Sequence, residues 1–406
     1  MRSAPAIAHG RLLLAGALAL AAATATPQAR APRLLRTPSS PLAALGKRLF
    51  FDPGLSSSGR LACASCHDPA QAYGPPRNAG PVMLGGPRGD LPGFRTVPSL
   101  RYLGDTPRFT RHLYIARSDD GEDVGPGGGL MWDGRADDFA SQALIPLLDP
   151  LEMANRDRHA FAARLRASRE AVDLRVAAGT ADFTDDRVLV RSALRALARF
   201  ESEDPSFHPY DSRYDAYLRG QGTLSTQELR GLALFNSPSK GNCAECHPSA
   251  PGPGGRPPDF TDHRFAVLGV PRNTALSANA DPRFFDLGLC GPYRTDLVRE
   301  SGAYCGMFET PTLRNVARRA YFFHNGRFTT LEQVLRFYVE RDLQPALWYP
   351  RRAGRVEVYN DLPPVYRENV DRADPPFDRT LGQVPALNDA EIADVIAFLR
   401  TLDDRS

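Results

Sequence analysis

The sequence predicts a mainly α-helical chain made of two similar modules with long irregular loops. Three observations predict it. Apolar residues recur at helical spacing in several stretches, strand-like alternation is scarce, and one helix–turn–cysteine pattern occurs twice. The repeat sets Gly46-Lys47-Arg48-Leu49-Phe50 against Gly231-Leu232-Ala233-Leu234-Phe235. Each copy leads through a turn into a C-x-x-C-H motif, Cys63-Ala64-Ser65-Cys66-His67 and Cys243-Ala244-Glu245-Cys246-His247.

Taken in order, the chain begins with Arg2 and Arg11, then an apolar, Ala-rich run from Leu12 to Ala25. Small residues around Thr24-Ala25-Thr26 and at Ala29 offer cleavage positions. The run is too short to span a bilayer, so residues 1–30 read as a secretory signal peptide and linker. Pro32–Ser40 continues the linker. Ser39 or Ser40, followed by Pro41, starts a helix whose apolar face is Leu42, Leu45, Leu49 and Phe50. The chain then turns at Pro53-Gly54 into the first motif. Gly74–Gly93 and Gly121–Gly129 read as loops, and Asp185–Glu201 as an amphipathic helix with Val188, Leu189, Leu194, Leu197 and Phe200 as its stripe. Pro205–Gly222 is the best boundary, dividing the chain into modules of residues 36–210 and 215–406. Ser225 or Thr226 opens the helix before the second motif, and Pro248–Pro258 is a loop. Asn388, with Glu391 three residues on, caps a last helix over Asp389–Leu402, whose buried stripe is Ile392, Val395, Ile396 and Leu399.

The chain has 406 residues, 42% hydrophobic, and a formal net charge of +3 without a basic block, which argues against a nucleic-acid partner. No later segment approaches the length of a membrane span. C-x-x-C-H is the attachment signature of c-type haem: two thiols add across the vinyl groups and the adjacent imidazole ligates iron. A disulfide beside a stray His, a thioredoxin-like pair and half a zinc site are the competing readings. The thioredoxin pair needs no following His, and zinc would need further Cys or His nearby. Two occurrences favour two covalent haems, on Cys63/Cys66/His67 and Cys243/Cys246/His247, with about four propionate carboxylates between them. An even pair of haems in one chain implies electron transfer. Cys290 and Cys305 remain, and in an oxidising compartment they form a disulfide closing Gly291–Tyr304.

With these motifs in place, the chain resembles the bacterial di-haem cytochrome c peroxidase family, in its MauG-like branch. The resemblance runs from about Leu45 to Leu402. It is most specific over Leu45–Asp68, Arg95–Arg101, Met131–Met153, Leu224–His247 and Thr310–Tyr338. It implies two cytochrome-c-like haem domains, the N-terminal one peroxidatic and the C-terminal one passing electrons to it. Trp132, in Trp132-Asp133-Gly134-Arg135, matches the residue that relays charge between haems. Gln142 and Glu152 match positions over the peroxidatic haem, where a carboxyl in a partly apolar setting moves the peroxide protons. Pro146 matches a pocket wall.

The chain departs from the family pattern in three places. Asp68–Arg111 contains no His to cap the first haem; Met83 is a weak candidate and His112 reads as a loop residue. The resemblance therefore implies an open sixth position there. Beyond Thr310-Pro311-Thr312-Leu313-Arg314-Asn315-Val316 and His324-Asn325-Gly326-Arg327, the place of the usual axial Met belongs to Tyr338, as in MauG-like members. Phenolate is a hard anionic donor that favours ferric and higher-valent iron, and no Met lies from Phe308 onward to compete. His324 is expected near the haem without being its ligand. The family also binds calcium between its domains. Here Thr96 occupies the position of an Asn ligand, and Arg319 and Tyr321 stand where backbone carbonyls contribute, which weakens that expectation.

The expected function is a periplasmic di-haem peroxidase reducing hydrogen peroxide with electrons from a small cytochrome c or cupredoxin. The alternatives are an enzyme of the MauG type oxidising side chains of a partner protein, and, less favoured, a non-enzymatic di-haem carrier.

Overall fold

The computed structural model describes residues 40–116, 122–179, 184–298 and 301–405. The expected signal peptide and all of the linker before Ser40 lie outside the described residues. Helices dominate, and among the described residues the strands form only two-stranded antiparallel sheets. No described helix is long and apolar enough to cross a membrane.

The helix starts follow the local chemistry. Ser40 caps Pro41–Phe50 by accepting from the Ala43 amide, with Pro41 at the first position. Ser225 and Glu228 form a capping box at Thr226–Asn236, and Asn388 and Glu391 form another at Asp389–Leu399. Asp185 caps Asp186–Glu203 rather than lying inside it. The last helix ends at Leu399 and continues to Leu402 as a 3₁₀ turn.

Apolar side chains collect into two large cores. One is built from Leu45 to Phe207, the other from Tyr214 to Leu402, so the changeover falls within Pro205–Gly222. That stretch is no loose linker: it carries helix Arg213–Leu218, and its Asp215 is fully buried against Arg314. The internal repeat has a structural cause at its first residue. A Cβ on Gly46 would lie 1.8 Å from the Ala196 carbonyl oxygen and 2.9 Å from Phe200 Cβ. A Cβ on Gly231 would lie 2.0 Å from the Asp394 oxygen and 2.9 Å from Phe398 Cβ. In each half, the helix before the haem motif crosses a long helix at a point where only glycine fits.

One expectation needs correction. Gly121–Gly129 is not simply a loop: Glu122–Gly127 is a strand paired antiparallel with Thr110–Ala116. Composition hid it, because glycines usually weaken strands. Here they allow close packing: a Cβ on Gly127 would sit 2.3 Å from Leu113 Cδ2, and one on Gly125 2.7 Å from the Arg264 guanidinium. Gly74–Gly93 likewise holds a small hairpin, Leu84–Gly85 against Leu91–Pro92. Cys290 and Cys305 are disulfide-bonded, as expected.

Alanine at Gly46 or Gly231 would gain up to about 1 kcal/mol in helix propensity but must push two helix backbones apart. Overpacking of this kind costs about 1–3 kcal/mol. Each single variant should therefore unfold at lower urea concentration than the parent when followed by circular dichroism. An unchanged or higher midpoint would mean that the crossings are not closely packed.

Candidate active site

Both C-x-x-C-H motifs fold alike. The His67 amide returns to the Cys63 carbonyl at 2.9 Å, and the His247 amide to the Cys243 carbonyl at 2.8 Å, so each motif closes one turn. His67 Nδ1 lies 3.0 Å from the Tyr73 carbonyl and His247 Nδ1 2.8 Å from the Phe260 carbonyl. A carbonyl only accepts, so Nδ1 carries the proton in both rings and Nε2 is left with its lone pair. Burial lowers both imidazoles to about 4, against a weaker pull upward from those hydrogen bonds, so they are neutral at pH 7. Cys63, Cys66, Cys243 and Cys246 are free thiols. Each motif opens its thiols and imidazole into one cavity, of about 180 Å³ at His67 and about 360 Å³ at His247. Two unbonded thiols and one lone-pair nitrogen per cavity is the donor set that covalent haem requires.

The His67 cavity is also lined by Gln142, Pro146 and Glu152, all expected, and by Met83. Helix Phe139–Leu148 supplies Gln142 and Pro146; the turn after it supplies Glu152. The small hairpin pins that turn: the Gly86 amide donates to the Glu152 carbonyl at 2.7 Å, and a Cβ on Gly85 would lie 2.1 Å from the Leu151 oxygen. Burial, then the neighbouring Asp149, raise the Glu152 carboxyl to about 7, with Arg135 opposing them. Arg135 is itself placed by Tyr293, its guanidinium lying 4.3 Å from the ring centroid. His112 lies exposed on strand Thr110–Ala116, outside the cavity lining.

Neither Glu152 nor Gln142 reaches the His247 cavity, which is lined by the Tyr338 phenol. Tyr338 extends from helix Leu331–Glu340, which Thr330 caps. Its ring lies 6.0 Å from Phe323 and 5.1 Å from Phe377. Burial pushes the phenol up, and among the described residues no hydrogen-bond partner reaches its hydroxyl. His324 stacks on Phe308 at 3.6 Å and holds Nε2 3.7 Å from Asp361. Met307, just before the Met-free stretch, also lines this cavity and is a thioether the sequence reading passed over.

Trp132, Glu309, Pro311 and Arg319 line both cavities, so they form a shared wall. Trp132 Nε1 donates to the Thr96 carbonyl at 2.7 Å, and the Glu309 amide donates to the Trp132 carbonyl at 3.0 Å. Asp133 anchors the turn by accepting from Arg95 at 2.7 Å and Arg135 at 2.8 Å. Burial alone would raise this carboxyl; the two guanidinium groups outweigh it and hold it low. Arg95 in turn grips Asp286 with two hydrogen bonds of 2.6 and 2.7 Å. Thr96, Arg319 and Tyr321 converge on a third cavity of about 20 Å³.

Three acids or bases here escaped the sequence reading. Glu201 is buried in the His67 cavity with Oε2 unpartnered, and burial raises it to about 8. Its signal was present: a charged residue four positions after Leu197, on the apolar stripe. Burial also raises Glu309 to about 7, against the opposing pull of His263, whose Nδ1 lies 3.8 Å from it. Nothing local marks that pair.

The family model for di-haem cytochrome c peroxidase matches residues 40–223. The methylamine utilization protein MauG of Paracoccus denitrificans is 34% identical over 93% of this chain and 92% of its own length. Cytochrome c551 peroxidase of Nitrosomonas europaea is 28% identical over 72% of this chain and 71% of its own. The crystal structure of the diheme peroxidase BthA from Burkholderia thailandensis superposes with a TM-score of 0.80 at 39% identity, covering 91% of this chain and 88% of that one.

Proposed function

The chain belongs to the di-haem cytochrome c peroxidase family, in its MauG-like branch, as a peroxidase-type oxidoreductase, and from that premise we propose that it is a periplasmic enzyme reducing hydrogen peroxide in the His67 cavity with electrons drawn through the His247 cavity. Family membership sets aside the non-enzymatic carrier. The observation that carries the proposal is the inequality of the two cavities. Glu152, near neutrality, and Gln142 line the His67 cavity and not the other; Tyr338 lines the His247 cavity and not the first.

Haems bound through Cys63/Cys66/His67 in residues 36–210 and through Cys243/Cys246/His247 in residues 215–406 would supply the redox equivalents and a site for peroxide. Reducing one peroxide to two waters consumes two electrons and two protons. Glu152 has the protonation equilibrium to take a proton from one peroxide oxygen and return it to the other. Gln142 offers an amide donor and acceptor in the same cavity. Trp132, held in the wall by its hydrogen bond to Thr96, is the relay between cavities. Tyr338, a phenol without a protein partner among the described residues, would hold the haem on the His247 side together with His247. The electrons come from an external donor such as a small cytochrome c or cupredoxin.

A second reading has support of its own. Tyr338 in place of Met, and a loop without His after the first motif, favour oxidation of a partner protein's side chain in the manner of the MauG branch. Assays with peroxide and reduced cytochrome c, set against oxidation of candidate periplasmic proteins, decide between the two.

Glu152→Gln should lower peroxide turnover by about 10²-fold or more while mass spectrometry still finds both haems; unchanged turnover removes Glu152 from the mechanism. Because the base is the carboxylate, the rate of the parent should rise as pH increases through about 7. Electron paramagnetic resonance of the ferric protein should show one high-spin and one low-spin centre. The low-spin centre should change in Tyr338→Phe and persist in Met307→Leu; the reverse would make Met307 the ligand.

A further inference from the structure

We propose that Arg319 is the built-in cation of the wall between the cavities: its guanidinium pairs with haem propionate carboxylates and stands in place of a divalent metal ion. The assignment rests on the di-haem reading and adds to it a residue that positions the haems electrostatically.

The first observation is an unmatched charge. Arg95, Arg101, Arg314 and Arg341 are each set deep in the protein, and each has an aspartate at ion-pair distance. Arg319 differs. Its one side-chain hydrogen bond runs to the Thr312 carbonyl at 3.2 Å, and among the described residues no carboxylate pairs with it. Burial without an acid pulls it down to about 10, which leaves it protonated at neutral pH. Half-buried and open only to the cavities it lines, this unpaired charge is placed to take an anion there.

The second observation is where the charge points. Arg319 lines the His67 cavity, the His247 cavity and the small cavity beside Trp132. The groups that fit the cavities bring about four carboxylates, and the planar guanidinium fork matches a carboxylate with two parallel hydrogen bonds.

The third observation concerns the metal. Calcium takes about six to eight oxygen ligands. The cavity where Thr96, Arg319 and Tyr321 converge has no Asp or Glu in its lining. Thr96 brings no amide oxygen to it: its hydroxyl proton goes to the Pro81 carbonyl and its own carbonyl already accepts from Trp132. These residues do not fit calcium. A guanidinium already supplies positive charge at that place, permanently and without metal.

The test uses the full holoprotein and optical redox titration. Positive charge favours the reduced haem, so Arg319→Gln should lower the reduction equilibrium constant of at least one haem about tenfold or more, 59 mV for one electron. Arg319→Lys, which keeps the charge, should restore most of it. The parent should contain no stoichiometric calcium by elemental analysis, and EGTA should leave its titration unchanged. Parent-like potentials in Arg319→Gln, or a shift of the parent on chelation, would overturn the assignment. The chelation arm needs no variant, so it decides even where Arg319→Gln fails to fold. A mass showing fewer than two haems would instead overturn the di-haem reading.

Discussion

The buried Arg95 guanidinium, shared between Asp133 and Asp286, is the interaction on which the wall between the two cavities depends. Asp133 is inaccessible and Arg95 nearly so, so their charges were desolvated at considerable cost. Each contact is short and hydrogen-bonded, and Asp133 takes a further pair from Arg135. That arrangement offsets the cost only while all members are present; removing one partner of such a cluster costs about 3–5 kcal/mol. What the cluster secures is placement. Trp132 sits one residue before Asp133, and its indole can meet only the carbonyl of Thr96, one residue after Arg95. Two neighbouring pairs, an ion pair and a hydrogen bond, thus lock two strands of irregular chain around one aromatic ring.

The same logic explains why a chain with so much irregular backbone holds rigid cavities. In each half a glycine lets two helices touch backbone to backbone, at Gly46 on Ala196 and at Gly231 on Asp394. The motif that follows hangs from this crossing, and its histidine is oriented by a single carbonyl, of Tyr73 or Phe260. The halves share the frame and differ in what lines it. Glu152 reaches its cavity only because a glycine hairpin closes on Leu151 and Glu152 from outside. At the other cavity, helix Leu331–Glu340 presents Tyr338 instead.

How much was legible follows from range. Capping boxes, helix stripes and the C-x-x-C-H motifs are decided within a few residues, and Ser40, Ser225, Asn388 and both motifs could be read directly. Trp132, Gln142, Glu152 and Tyr338 came through resemblance, and the cavities do gather them beside the motifs. The hairpin of Thr110–Ala116 and Glu122–Gly127 was lost because its glycines act through tertiary packing on Leu113 and Arg264. Glu309 was illegible as a wall residue for the same reason, and Arg319 was read between the domains only for its backbone carbonyl, not for its charge. Their neighbours in the wall lie well over a hundred positions away, in the segment around Trp132.

Arg319 and Trp132 in one wall also constrain each other. A bare cation in the same wall as an indole would oppose any positive charge passing through that ring; two unit charges about 4 Å apart at an effective dielectric of about 20 repel by about 4 kcal/mol. A guanidinium paired with carboxylates is nearly neutral at that distance and leaves the ring free to relay. If Trp132 is the relay proposed above, the wall carries charge through it only when its cation is matched. Since no acid among the described residues pairs with Arg319, the match would arrive with the groups that occupy the cavities. Filling the two cavities and opening the path between them are, on this argument, one event.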